Sequence, residues 1–213
     1  MHRHPSPAEI PRAHLPLCQA LRWGTLAAVE MLLDAGANPN GTRSDWSGLQ
    51  WPARTGNLLR AKFLMDRGAD LQSQCAARSL RHAARECQPA MVELLVTHGV
   101  DVHATDEDGR TALDKNRWEV AEMLLDRGAD IDRQVGWYAL TALHQAVGRQ
   151  SVETVRLLLS RGADVTLRTR SHHLPTPLQG NGPPTVSRDE IRKLLIAHGA
   201  KPEEQPPHTA EVH

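Results

Sequence analysis

Residues 141–164, TALHQAVGRQSVETVRLLLSRGAD, hold the pattern that decides the fold of this chain. Thr141 stands where the N-cap of a helix belongs, and a first apolar helical face follows it, made by Ala142, Leu143, Ala146 and Val147. A loop around residues 148–151 leads to a second apolar face that opens at Val152. Gly162 then supplies the left-handed residue that ends a helix. The stretch therefore predicts a pair of short helices with a glycine stop.

The end of this stretch recurs along the chain, in phrases such as LLDAGANPN (32–40) and LLDRGADID (124–132). Successive glycines of the phrase lie 29 to 37 residues apart, at Gly36, Gly68, Gly99, Gly128, Gly162 and Gly199. A period of about 33 residues is typical of a helix-pair solenoid and not of a propeller or a leucine-rich horseshoe. The sequence therefore predicts one helix pair for each copy of the phrase.

Three tetrapeptides open copies of the repeat: TALH at 141–144, TALD at 111–114 and TPLQ at 176–179. With these motifs and the recurring GAD or GAN phrase, the sequence resembles the ankyrin-repeat proteins over about residues 15–202. The resemblance implies an all-α fold, an ankyrin-type helix-pair solenoid of five repeats plus a degenerate C-terminal capping half-repeat. It also implies that His144 has a structural role, because it matches the family's histidine that braces neighbouring repeats.

The spacing of the repeats varies along the chain, and the local structure is expected to vary with it. Counting back from each LL phrase places the capping tetrapeptides of the first three repeats at Leu15, Ser47 and Arg78, where the motif is degraded. The fourth repeat lacks four residues, about one helical turn, so its first helix is expected to be stunted. In the sixth unit GNGPP (180–184) forbids a regular helix, which leaves one helix of about residues 188–197 to cover the end of the stack.

The repeats lie between two proline-rich terminal segments. Residues 1–14 and 202–213 contain few apolar side chains, and we expect them to be flexible N- and C-terminal tails of a domain at 15–201. The sequence shows no apolar stretch of the length that a signal peptide or membrane helix needs. Its three cysteines are an odd number without CxxC spacing, at Cys18, Cys75 and Cys87. We therefore expect a cytoplasmic, reducing environment.

The charge balance bears on the class of partner. The 213 residues contain 25 Lys and Arg and 25 Asp and Glu, so the formal net charge is zero. A bulk basic field for nucleic acid or anionic lipid is absent, although a local basic patch is compatible with this balance. We expect a protein partner, with no nucleic acid and no membrane, and a monomeric chain.

Motifs for catalysis or cofactor binding are missing. The sequence has no P-loop, no dinucleotide fingerprint, no HExxH and no GxSxG. Cys87 and His82 invite comparison with a nucleophile and its base, but a structural thiol is the better interpretation. His172 and His173 are interpreted as solvated loop residues, and the acidic run 106–108 as a solvated turn. We therefore expect no enzyme activity, no cofactor and no metal.

The resemblance places partner binding on the concave face, at the ends of the first helices and in the inter-repeat turns, or fingers. Transferring those positions residue by residue gives Arg22, Trp23, Arg43, Trp46, Arg54, Arg85, Trp137, Tyr138, Arg149 and His172. Trp, Tyr and Arg are the residues most often found as binding hot spots. The alternative is that Trp23 and Trp46 cover imperfect repeat junctions. Trp51 is placed inside a first helix.

These residues predict a non-catalytic protein–protein interaction scaffold that binds through its concave face and fingers. The run of arginines indicates a partner with an acidic surface. An alternative from another class is an inhibitor or immunity-type protein, which blocks a target enzyme by one-to-one binding with a fingertip in its cleft. A tight complex with loss of the target's activity would distinguish the two.

Overall fold

The computed structural model describes residues 14–40, 48–106, 109–113, 117–170, 176–179 and 185–201. The chain divides into two compact units, Met1–Asp130 and Ile131–His213. Regular structure in the described ranges is helical, apart from one isolated antiparallel bridge between Val135 and Leu140. The expectation of an all-α fold is confirmed.

The first unit contains three successive helix pairs and a further helix. Its elements are α1 (His14–Trp23), α2 (Leu26–Asp34), α3 (Gln50–Thr55), α4 (Leu58–Asp66), α5 (Gln74–Arg85), α6 (Pro89–Thr97) and α7 (Trp118–Asp126). First helices pack on first helices, α1 on α3 and α3 on α5, while α4 packs on α6 and α6 on α7. The core that they share is aliphatic and includes Leu17, Leu21, Leu64, Leu80, Met91, Leu95 and Leu124.

The second unit is built in the same way from fewer elements. It contains α8 (Ala142–Gly148), α9 (Val152–Ser160), a 3₁₀ turn (Pro177–Gln179) and α10 (Val186–Ala197). Helix α9 packs on α8 and α10, and the 3₁₀ turn contacts α8 and α10. The fully buried side chains of these helices include Leu143, Leu158 and Leu195. In this unit α10 is the single helix expected for the degenerate C-terminal copy.

The glycine stops are confirmed at all six copies of the phrase. Each glycine has a positive φ, between 84° and 99°, the left-handed region that glycine enters without steric cost. At the first copy the Gly36 amide donates to the Leu33 carbonyl and the Ala37 amide to the Leu32 carbonyl, both at 3.0 Å. This is the Schellman arrangement, which satisfies carbonyls that the helix end would leave unpaired.

The turn between the two helices of a pair can also contain a residue with positive φ, but this residue is not always glycine. Gly56 occupies it in the second pair with φ 68°. In the third and fifth copies the residues are Cys87 (φ 53°) and Gln150 (φ 56°), which are not glycines. Cys87 therefore adopts the left-handed conformation that Gly56 has in the second pair.

Two local expectations for the first helices have different outcomes. In the fourth copy no α-helix is found within 109–113 before α7, and residues 114–116, on which the prediction of a stunted first helix also depends, lie outside the described ranges. In the third copy the predicted capping position at Arg78 is wrong. Helix α5 begins at Gln74, because the Ser73 hydroxyl accepts from the Ala76 amide and forms the N-cap one turn earlier.

The start of α8 is fixed by a reciprocal capping box. The Thr141 hydroxyl oxygen accepts from the His144 amide at 3.4 Å, and His144 Nδ1 accepts from the Thr141 amide at 3.3 Å. Both residues are buried. These bonds give His144 a structural role at the start of its own helix.

We expect Thr141→Ala to lower the free energy of unfolding by about 1–2 kcal/mol, because the capping bond is lost in a buried site. Urea denaturation followed by circular dichroism measures the change. Ser160→Ala is the matched control, since its exposed hydroxyl donates to the Leu157 carbonyl of the same helix, and a change within about 0.5 kcal/mol is expected. Equal losses in the two variants would contradict the importance of the capping box.

Candidate partner-binding surfaces

Arginines and tryptophans from two neighbouring first helices meet on the surface of the first unit. The guanidinium carbon of Arg22 lies 4.6 Å from the Trp23 ring centroid and 4.8 Å from that of Trp51. Arg54 lies 5.7 Å from the Trp51 centroid on the same helix. These distances are those of cation–π contacts. We call Arg22, Trp23, Trp51 and Arg54 the arginine–tryptophan cluster.

The cluster is held in place by the packing at the end of α1. Arg60, in the first turn of α4, donates to the Leu21 carbonyl at 2.7 Å and also to the Gly24 carbonyl. Those carbonyls belong to the C-terminal end of α1, where a helix leaves its last acceptors unsatisfied. Arg60 therefore ties the end of α1, and with it Arg22 and Trp23, to the second helix pair.

A cavity of about 510 Å³ opens beside the cluster. Its lining contains cationic, apolar and neutral polar groups but no carboxylate: Arg22, Trp51, Thr55, Gly56, Asn57, Leu58, Leu59 and Arg60. Two of the polar side chains are already used, since the Thr55 hydroxyl donates to the Trp51 carbonyl and Asn57 caps α4. The lining therefore combines the basic Arg22 and Arg60 with three apolar side chains, Trp51, Leu58 and Leu59, which we call the apolar wall.

The two tryptophans of the cluster lie on first helices, where the sequence placed them, and they differ in exposure. Trp23 is 76 % exposed, so its ring lies on the surface and does not fill a repeat junction. Trp51, which the sequence placed inside a helix, is half-buried and contacts both arginines. The spacing of Trp51 and Arg54 at i and i+3 on one helix could have indicated part of this contact.

The positive potential extends from α3 to α5. Burial lowers the pKa of His82 from 6.5 to about 4, and the charges of Arg81, Arg85 and Arg54 act in the same direction. Glu86 opposes this effect; its carboxylate lies 3.1 Å from the Arg85 guanidinium. His82 is therefore neutral at pH 7, and the arginines set the sign of the field around it.

One finger of the first unit is anchored by a buried ion pair. Arg81 Nη2 lies 2.7 Å from Asp106 Oδ2, and the two side chains are 18 % and 4 % exposed. Asp106 Oδ1 also accepts from the Arg110 amide at 2.9 Å. The interpretation of this acidic run as solvated is wrong for Asp106, because its carboxylate fastens the loop to α5. Residues 107–108 lie outside the described ranges.

The finger of the second unit is a tight hairpin with an aromatic tip. Val135 and Leu140 exchange two backbone hydrogen bonds, at 2.9 and 3.0 Å, and enclose residues 136–139. Within that loop Trp137 is 92 % exposed and Tyr138 is 62 % exposed. The Tyr138 carbonyl also accepts from the Arg170 amide at 2.8 Å. Two large aromatic side chains thus project from a backbone that is fixed on both sides.

The remaining predicted site residues are distributed as follows. Arg85 and Arg149 are exposed, at the C-terminal ends of α5 and α8. Arg43, Trp46 and His172 lie outside the described residues. The structure thus brings Arg22, Trp23 and Arg54 together in the first unit and presents Trp137 and Tyr138 together in the second.

The chemistry of Cys87 does not favour catalysis. Burial and the carboxylate of Glu119 raise the pKa of its thiol above 9.0, against the opposing charge of Arg117. A protonated thiol is a poor nucleophile.

Over the described part of the chain, no group of three His, Cys, Asp or Glu side chains could hold a metal ion. None of the helices found there is long and apolar enough to cross a membrane.

Comparison with known proteins gives one consistent picture. A family model of ankyrin repeats, in three copies, matches residues 80–169. Ankyrin repeat and SOCS box protein 6 of Homo sapiens is 33 % identical over 191 residues, covering 76 % of this chain and 45 % of that protein. The B-cell lymphoma 3 protein homolog of Mus musculus is 33 % identical over 153 residues, covering 67 % of this chain and 33 % of that protein. This chain thus spans less than half the length of either relative.

A solved structure shows the same fold. The crystal structure of the human ASB11 ankyrin repeat domain aligns with a TM-score of 0.72 at 24 % identity, over 87 % of this chain and 83 % of that one. At that identity the likeness bears on the fold alone.

We expect the stability of the protein to depend on His82 in acid. Because its folded pKa of about 4 lies below 6.5, the unfolded chain binds a proton that the folded chain excludes, and stability falls as the pH drops from 6.5 towards 4. His82→Gln removes this contribution. Urea midpoints of both proteins across this range should show a difference that changes with pH; a constant difference would contradict the burial of a neutral imidazole.

Asp106→Asn should lower the free energy of unfolding by about 2 kcal/mol, because it leaves the largely buried Arg81 guanidinium without its counter-charge. Glu86→Gln, which breaks the exposed pair with Arg85, is the control and should cost less than about 0.5 kcal/mol. Urea denaturation measures both. An equal effect would show that the finger is not held by the ion pair.

Proposed function

Because the chain belongs to the ankyrin-repeat family, we propose that it is a non-catalytic scaffold that binds a partner protein through its first-helix face and its fingers. Ankyrin repeats are generally protein–protein interaction modules. The fold supports this role, since Arg85 and Arg149 at the ends of α5 and α8, and Trp137 in the finger of the second unit, lie on the surface.

The observation that carries the proposal is the aromatic tip of the second unit. Trp137 is 92 % exposed, although burying a tryptophan ring is strongly favourable. Its loop is closed by the Val135–Leu140 bridge and by the bond from Arg170, so little backbone freedom remains to be lost on binding. A rigid, exposed Trp–Tyr pair has the properties of a binding anchor.

The arginines of the first unit are proposed as a binding surface of that unit. Arg22, Arg54 and Arg85 are exposed, and Arg22 and Arg54 form no ion pair with a carboxylate among the described residues. A partner with an acidic surface would complement these charges. We expect binding to a single copy of the chain, in the cytoplasm.

The hairpin also favours a second candidate function, inhibition of a target enzyme. A protruding loop with Trp137 and Tyr138 at its tip could enter a cleft, as an immunity-type protein would do. In that case a one-to-one complex would abolish the activity of the target, whereas a scaffold would leave its partner active.

Trp137→Ala should reduce recovery of the partner in a quantitative pull-down from the native cell, because a central aromatic anchor contributes about 2 kcal/mol or more to binding. Titration calorimetry with the purified partner then gives the affinity and the stoichiometry. Val186→Ala is the control, since Val186 is 86 % exposed but lies on α10, outside the finger.

The thermal unfolding of both variants should match that of the wild type, because neither side chain is in the core. Unchanged recovery of the partner by Trp137→Ala would remove the hairpin from the proposed interface. An equal loss with Val186→Ala would show that the effect is not specific to the finger.

A further inference from the structure

We propose that the cavity beside the arginine–tryptophan cluster binds an acidic segment of a partner protein, with Asp or Glu carboxylates on Arg22 and Arg54 and an adjacent apolar side chain against Trp51 and Leu59. The inference rests on the proposed function in that the ligand is a protein segment. It adds the location of the site and the chemistry that the site recognises.

The cavity lining carries positive charge that no carboxylate in the lining balances. Arg22 and Arg60 line it and Arg54 stands over the Trp51 ring, while no carboxylate is part of the lining. Arg60 is occupied by two backbone carbonyls at the end of α1. Arg22 and Arg54 contact aromatic rings and form no ion pair within the described ranges, and a guanidinium stacked on an aromatic face keeps its N–H groups available at its edge. These two side chains are therefore the donors that a carboxylate would meet.

The Arg22 side chain is held in place before a ligand binds. The Arg22 guanidinium contacts two tryptophan rings, and Trp23 belongs to the helix end that Arg60 ties to α4. Restraining a long arginine side chain in advance lowers the entropy lost when it binds a carboxylate. Helix α4 also begins at this cavity, at Leu58, and its N-terminus adds a partial positive charge on the same side.

The surroundings reinforce the positive field. Burial is the largest cause of the lowered pKa of His82, and the positive charge of Arg54 adds to it. The potential of Arg54, on α3, therefore reaches His82 on α5. Ion pairs compensate other arginines of this unit: Arg67 pairs with Asp34, and Arg127 with Glu93. Arg22 and Arg54 differ from these two arginines, because neither has an ion-pair partner among the residues that the structure describes.

The apolar wall selects the class of ligand. Leu59 is 69 % exposed and lines the cavity together with Leu58 and Trp51. An acidic protein segment can offer an aliphatic or aromatic side chain to this wall beside its carboxylate. A nucleic-acid backbone has a phosphate at every step and no aliphatic side chain, and the formal net charge of zero gives it no long-range attraction.

The experiment uses the full chain and synthetic peptides. The probe is a fluorescein-labelled, capped peptide that alternates pairs of Glu with single Leu residues; its controls carry Gln for Glu, or phosphoserine for one Glu. Fluorescence anisotropy gives the dissociation constants at low and at physiological salt. We expect the Glu peptide to bind at least tenfold more tightly than the Gln peptide, and more weakly as salt is added.

Matched variants locate the site. Arg22→Gln should weaken binding of the Glu peptide roughly tenfold, and Leu59→Ser should weaken it to a smaller extent. Arg133→Gln removes the same charge from an exposed arginine of the second unit and should change the dissociation constant less than about twofold. Circular dichroism confirms that each variant is folded, as expected because the altered side chains are exposed.

Four results would overturn the proposal: no binding of the Glu peptide at millimolar concentration, equal binding of the Gln peptide, equal losses in Arg22→Gln and Arg133→Gln, or much tighter binding of the phosphoserine peptide. The last would assign the cavity to phosphate instead of carboxylate. The pull-down with Trp137→Ala is independent of this outcome. If partner recovery depends on Trp137 while the peptide does not bind, only the cavity assignment fails.

Discussion

Burial of apolar surface between successive helix pairs is the interaction on which the rest of this structure depends. A single pair such as α3 and α4 contains fifteen residues and cannot enclose a core by itself. Its Ala53, Ala61 and Leu64 become fully buried because further helix pairs cover them. The small side chains Ala83 and Ala84 allow α5 to lie close to its neighbours. The surfaces proposed for binding are those that this stacking leaves uncovered, such as the ends of α5 and α8.

Polar contacts between neighbouring repeats fix the register of the stack. The Asn40 side chain accepts from the Asp70 amide at 2.7 Å, and Asp132 accepts from the Asp164 amide at 2.9 Å, in each case from one repeat to the next. The second helices of the second unit are joined by an ion pair between Arg156 and Glu190. Exposed pairs of this kind contribute little stability. Their effect is to join neighbouring repeats at the loops after the glycine stops and at the second helices.

Structural features that depend on residues close together in the sequence could be predicted, whereas contacts between different repeats could not. The glycine stops depend on nearby residues, and they were predicted. The start of α5 was misplaced because a fixed repeat length was assumed, although Ser73 and the alanines after it extend the helix. The burial of Asp106 depends on Arg81, twenty-five residues away in another element. The place of Trp51 in the cluster likewise depends on Arg22 in another repeat.

The six glycine stops also bear on how this sequence can drift during evolution. A β-carbon added at any of them would meet no atom within 4 Å, so only the backbone conformation disfavours a side chain there. The cost of one such replacement is then about 1–2 kcal/mol, whichever copy it affects. Asparagine, which tolerates this conformation, is the least harmful substitute. Single losses can therefore persist in a lineage, whereas several together would exceed the marginal stability of a domain.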